Sequence, residues 1–186
     1  YPNICTTHTY MDRIDTLKAA QEVGIELCSG IIVGMGEKVN DIIEVAKTLR
    51  NFKVPSIPVN FLIPIKGNEL SEPPDLSPEY CLRVLCLCRF LNPDAEIRVA
   101  AGREMHLRSM EVMALYPANS LFVEGYLNTK GASRARTLRM IKDAGFTIKA
   151  DRSLEELLRQ EENVRAGLKP ARTDTHQSFM KDVNDL

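Results

Sequence analysis

Four largely apolar runs in this chain are each followed by a turn rich in glycine or polar residues and then by a helical pattern. The runs are Ile25–Val33, Ile57–Ile63, Glu96–Ala101 and Ser120–Val123. Counted from Cys28 to Asn60, Arg98 and Phe122, the spacings are 32, 38 and 24 residues. Units of that length are βαβ crossovers, which oblige successive strands to run parallel. The chain is therefore expected to be an α/β protein, either half of a (β/α)8 barrel or a small open sheet. In both arrangements ligand chemistry collects at the C-terminal ends of the strands.

The intervening segments carry helix signals. Tyr10, Ile14, Leu17, Ala20 and Val23 recur at helical spacing, with Thr9 as N-cap and Gly24 just past the end. A second helix runs to about Phe52, and Ser77-Pro78 opens a third that reaches about Leu91. A fourth is expected over roughly Met105–Tyr116 and a fifth over Ser133–Ala144, with Phe146–Ile148 extended beyond it. Residues 1–150 thus form the α/β body. Residues 151–186 form a short charged helix, Ser153–Arg165, and a polar tail expected to be weakly ordered.

Bulk composition excludes several classes. The 186 residues carry 24 Lys and Arg against 25 Asp and Glu, so no charge excess draws the chain to nucleic acid or to an anionic membrane. No apolar run approaches the roughly 20 residues of a membrane span. Five cysteines, an odd number, with no secretory signal in view, argue for a reducing compartment. The chain opens on Tyr1 directly in patterned sequence, which is expected of a piece of a longer polypeptide.

Three residues interrupt the first three strands: Cys28, Asn60 and Arg98. A strand covered by apolar layers on both faces has no structural use for them. Pointing inward, they converge on one cavity. Each also has a plain structural reading: Cys28 as a small core residue, Asn60 bonded to a neighbouring strand, Arg98 in a salt bridge. Cys81, Cys86 and Cys88 share one helix with Leu82, Val84, Leu85 and Leu87 and read as core, as do Met105, Met110 and Met113. Gly34-Met35-Gly36 lacks the third glycine of a dinucleotide fingerprint. The three histidines show no metal-binding spacing.

Five strings in order resemble the biotin synthase family of radical S-adenosylmethionine enzymes. They are Ile4–Leu17, Cys28–Glu37, Pro58–Gly67, Arg98–Glu104, and Asn119–Phe122 with Tyr126–Thr129. The resemblance implies that the chain is the C-terminal half of a (β/α)8 barrel. It implies sulfur insertion into dethiobiotin to form biotin, with a 4Fe-4S cluster cleaving S-adenosylmethionine and a 2Fe-2S cluster giving the sulfur. By matched position, Cys28 and Arg98 are implied as ligands of the 2Fe-2S cluster. Arg13, Ile32 and Ile63 are implied as contacts to S-adenosylmethionine, and Asn60, Asn128 and Thr129 as contacts to dethiobiotin. A flavodoxin-type electron donor, a homodimer and a cytoplasmic location, mitochondrial in a eukaryote, are implied in the same way. The family's Cys-x3-Cys-x2-Cys run is not in this sequence, so the chain alone is expected to be inactive. Asn68-Glu69 stands where the family usually has Thr-Pro, and Glu124 where glycine is common.

Overall fold

The computed structural model describes residues 1, 4–67, 70, 76–126, 129–167 and 179–180. In chain order the first elements are α1 (Tyr10–Glu22), β1 (Ile31–Val33), α2 (Val39–Asn51), β2 (Ser56–Phe61), α3 (Pro78–Leu91) and β3 (Glu96–Val99). A short helix, α4 (Arg103–Leu107), leads into a 3-10 segment, Arg108–Leu115. Then come β4 (Ser120–Leu121), β5 (Gly125–Tyr126), β6 (Thr129–Lys130), α5 (Arg134–Asp143), α6 (Leu154–Arg165) and β7 (Phe179–Met180).

The expected parallel sheet forms from β1 to β4 in sequence order, and β7 adds antiparallel to β4. A separate hairpin pairs β5 with β6. The predicted caps are present. The Thr9 hydroxyl accepts from the Asp12 N–H at 3.2 Å while the Asp12 carboxylate accepts from the Thr9 N–H at 2.7 Å. Ser77 accepts from the Tyr80 N–H at 3.1 Å, with Pro78 at the first helical position. These side chains satisfy amides that the helix itself leaves unpaired.

One face of the sheet is the core. Val33, Ile57, Val59, Phe61, Ile97 and Val99 are buried there, beneath Ile42, Ala46 and Leu49 of α2 and Cys81, Val84, Leu85 and Cys88 of α3. On the opposite face the residues of β2 and β3 are partly exposed among the described residues, with Arg98 and Glu96 mostly shielded and Ser120 of β4 buried. Burial alternates along β2 and β3, so the expectation of strands buried on both faces is corrected to burial on one. The first strand is also shorter than expected. Cys28 is joined to the sheet only by an isolated parallel bridge to Ser56, and the continuous ladder starts at Ile31.

Two core assignments fail for a periodic reason. The inner stripe of α3 is Cys81, Val84, Leu85 and Cys88, and Cys86 lies off that stripe and is exposed. The expected fourth helix divides at Arg108, whose φ is +52°. Beyond it the backbone is 3-10, with about three residues per turn. Residues three apart then share a face. Glu111 and Ala114 turn inward, while Met110, Met113 and Tyr116 turn to solvent. Met105 on α4 is 49% exposed, so none of the three methionines is core. Phe146–Ile148 forms no strand. The charged helix is present as α6, and apart from Ala166, Gly167 and β7 the tail lies outside the described residues.

Candidate functional site

The sheet face opposite α2 and α3 carries the three residues singled out above. In a parallel pair, residues in register point the same way. Cys28 stands beside Ser56, Ser56 beside Glu96, Arg98 beside Ser120, and Ile32 beside Asn60. Together they make a polar band across four strands. Cys28 is exposed on it, and Ile32 is 45% exposed. Gly30 lets the first two strands approach, since a Cβ there would lie 1.8 Å from the Pro58 carbonyl oxygen.

Arg98 is held from three sides. Its Nε donates to Ser120 Oγ at 3.1 Å, one Nη pairs with the Glu96 carboxylate, and its guanidinium lies 5.5 Å from the centre of the Phe122 ring. Ser56 Oγ donates to the same Glu96 carboxylate at 3.2 Å. The salt-bridge reading of Arg98 is therefore realised, with a partner only two residues away. Asn60 likewise bonds its neighbours: Oδ1 accepts from the Ala101 N–H at 3.1 Å, and Nδ2 points to the Ile31 carbonyl oxygen at 3.5 Å. A primary amide has two donors and two acceptor lone pairs, so one of each remains.

At the strand ends, the Gly34–Glu37 turn closes on itself. The Glu37 carboxylate accepts from the Gly34 N–H at 2.8 Å and the Met35 N–H at 2.7 Å. Gly34 and Gly36 have φ of +102° and +90°, a region open to glycine. Ile63, just past β2, is half-buried. Arg13 is exposed on α1, and no hydrogen bond or ion pair ties it to the sheet among the described residues. Thr129 lies in β6, while Asn128, Asn68 and Glu69 lie outside the described residues. No group of three or more His, Cys, Asp or Glu side chains among the described residues is arranged to hold a metal ion. No helix among them is long and apolar enough to cross a membrane.

The family profile of the Biotin and Thiamin Synthesis associated domain matches residues 58–147, from β2 to just beyond α5. Residues 58–147 are similar to that domain. The curated relatives are biotin synthases. That of Acaryochloris marina is 58% identical over 153 residues, which cover 82% of this chain and 44% of the relative. That of Magnetococcus marinus is 57% identical over 148 residues, covering 80% of this chain and 46% of the relative. That of Geobacillus thermodenitrificans is 48% identical over 148 residues, covering 80% and 45%. The likeness to the biotin synthase family read from the five strings is thereby shown, and it falls on the C-terminal half of those proteins. The chain spans somewhat under half the length of the curated relatives it matches.

Within this domain lies an ion-pair network that residue spacing did not reveal. Arg103 is 2% exposed, and it donates from Nη2 to Glu104 at 2.8 Å and pairs through Nε with Glu111 at 3.3 Å. Glu111 also takes Arg136 of α5 at 2.6 Å. His106 donates from Nε2 to the Leu62 carbonyl oxygen at 2.8 Å, edge-on to Phe61. The sequence signal was present only as charges in a run read as core: Glu111 stands between Met110 and Met113. Glu124, where the family commonly has glycine, takes a φ of +71°, which gives the physical reason for that preference.

Burial opposes the charge of the Glu104 carboxyl, but the Ala132 N–H and the Arg103 guanidinium outweigh it and hold its pKa below the ordinary 4.5. A depressed folded value means that the stabilisation is complete above the ordinary glutamate pKa and is lost as pH falls through the folded one. The Ala132 amide is therefore expected to exchange faster with solvent only in that acid window, and to be insensitive to pH-driven opening from roughly pH 5 to 8. Hydrogen exchange measured by NMR, with Glu104→Gln as the non-titrating control, checks this.

Proposed function

We propose that this chain is the C-terminal half of a (β/α)8 barrel that completes a biotin synthase, an enzyme inserting sulfur into dethiobiotin. Residues 1–150 form the half-barrel, and residues 151–186 form a charged helix and polar tail. One observation supports the reading: the register puts Cys28, Asn60 and Arg98 on the same sheet face, opposite α2 and α3. Such a polar face suits a sheet that a second half closes into a barrel.

Cys28 is an ordinary thiolate donor for an iron–sulfur cluster, whereas Arg98 becomes one only by losing a proton, since the guanidinium cation paired with Glu96 has no lone pair. Such clusters are bound mostly by four cysteine thiolates, with other donors substituting at some irons. Here Cys28 offers one thiol, and Arg98 offers a guanidinium whose plane is already fixed by Glu96, Ser120 and Phe122. These two would hold a 2Fe-2S cluster, with its remaining ligands supplied from outside this chain. When bound, that cluster supplies the sulfur that enters the product. The 4Fe-4S cluster that cleaves S-adenosylmethionine finds no motif in this sequence, and its ligands belong to the other half.

The remaining residues bind and orient. Asn60 keeps one N–H and one lone pair for a ring that both donates and accepts, as the ureido ring of dethiobiotin does. Arg13 offers a planar fork for the carboxylate of S-adenosylmethionine, and Ile32 and Ile63 line its apolar side. Asn128 and Thr129 hold the substrate tail. A flavodoxin-type donor supplies electrons, the complete protein is a homodimer, and it works in the cytoplasm.

The test is direct. The complete polypeptide, reconstituted anaerobically with iron and sulfide, is expected to convert dethiobiotin to biotin with S-adenosylmethionine and a reductant. A folded preparation that takes up both clusters and forms no biotin overturns the reading.

A further inference from the structure

The hairpin β5–β6 stands off the main sheet, and two contacts tie its C-terminal side to the rest of the domain. The Gly131 N–H donates to the Glu124 carbonyl oxygen at 3.3 Å and closes the base. The Ala132 N–H donates to Glu104 Oε1 at 2.8 Å and fixes that base to the start of α4. The same carboxylate is gripped by Arg103, which is buried and anchored in turn on Glu111. Glu111 reaches Arg136, in the first turn of the helix that follows the hairpin. The hairpin is thus braced behind its second strand by a chain of charge-assisted contacts, of which those of Glu104 with Ala132 and Arg103 and of Glu111 with Arg136 are short, at 2.6–2.8 Å.

We propose that Glu104 is a positioning residue for the β5–β6 hairpin, holding Thr129 at the distance the substrate tail requires. This rests on the reading above, in which Thr129 meets the carboxylate end of dethiobiotin. Ala132 is only three residues from Thr129, and two rigid points, Glu104 and Gly131, leave that short segment little freedom. Glu104 does not touch substrate. It acts on binding through the backbone of residues 129–132, and the buried Arg103 keeps it ionised and aimed.

The experiment uses the complete, reconstituted protein with Glu104→Ala, Glu104→Gln and Thr129→Ala. Glu104→Ala is expected to raise the KM for dethiobiotin about tenfold and Glu104→Gln about threefold, with kcat changed less than about twofold and the KM for S-adenosylmethionine unchanged. Amide exchange over residues 125–132 is expected to speed up at least about tenfold in Glu104→Ala while α2 and α3 keep their protection. A merely structural role would instead loosen α2 and α3 and lower kcat along with affinity. Unchanged exchange over 125–132 overturns the proposal. So does faster exchange with a wild-type KM for dethiobiotin, provided Thr129→Ala raises that KM. If Thr129→Ala leaves it unchanged, the assignment of Thr129 to the substrate tail fails, and the proposed link from hairpin to substrate fails with it.

Discussion

Cys28→Ala in the complete protein is expected to lower biotin formation at least about 100-fold and to remove the visible absorbance of one of two clusters. The thiol stands exposed, in register with Ser56 and thence with Glu96, the residue that holds Arg98. Removing it deletes the proposed ligand without opening a cavity, because Cys28 is not part of the buried core. Folding stability is therefore expected to change by less than about 0.5 kcal/mol. Cys86→Ala is the control. It too is exposed, but on α3, whose inner stripe packs on the covered side of the sheet. Arg98→Lys keeps the positive charge and loses the fork that reaches Ser120 and Glu96 together. It is expected to fall between the two in activity. Full activity and two intact clusters in Cys28→Ala would refute the assignment.

Gly102→Ala is expected to destabilise the chain by about 3 kcal/mol or more, read as a shift in the urea midpoint at unchanged slope. Gly102 has φ of +80°, and a Cβ there would lie 2.1 Å from the Phe61 carbonyl oxygen. That contact is backbone against backbone, so no rotamer change relieves it. The strand end cannot retreat either, since the Phe61 N–H donates to the Ala101 carbonyl oxygen at 2.8 Å and the Gly102 carbonyl accepts from the His106 N–H at 3.1 Å. Gly145→Ala separates strain from collision. Its φ is +78°, yet nothing lies within 4 Å of the added Cβ. It is expected to cost only about 1 kcal/mol, the left-handed penalty alone. Equal losses in the two variants would show that the collision contributes nothing.

The residues that were legible in the sequence are those whose signal is local. Thr9 and Ser77 cap helices because a short hydroxyl side chain reaches an amide three residues on, and they do so here. Cys28, Asn60 and Arg98 were visible as polar interruptions of apolar runs, and they share the expected face. Met110 and Met113 misled because the backbone turns from α-helical to 3-10 after Arg108, which reassigns the faces without any change in residue type. Arg103 and Glu104 stood at a strand end that was noticed only for its resemblance. Their partners Glu111, Ala132 and Arg136 follow at irregular separations, and such contacts leave no period to detect.

By itself the sequence determined the strand–helix alternation, hence a parallel sheet. That follows from periodicity and from the length of a crossover, which are properties of neighbouring residues. Only the tertiary structure decided which sheet face takes the apolar layer of α2 and α3. Alternation states that a side chain points to one of two sides, but not what covers that side. The tertiary structure also decided that Arg103, Glu104, Glu111 and Arg136 meet and brace the hairpin bearing Thr129. Those pairings arise where the folded chain brings distant charges into a common low-dielectric site, and linear order alone does not specify that meeting.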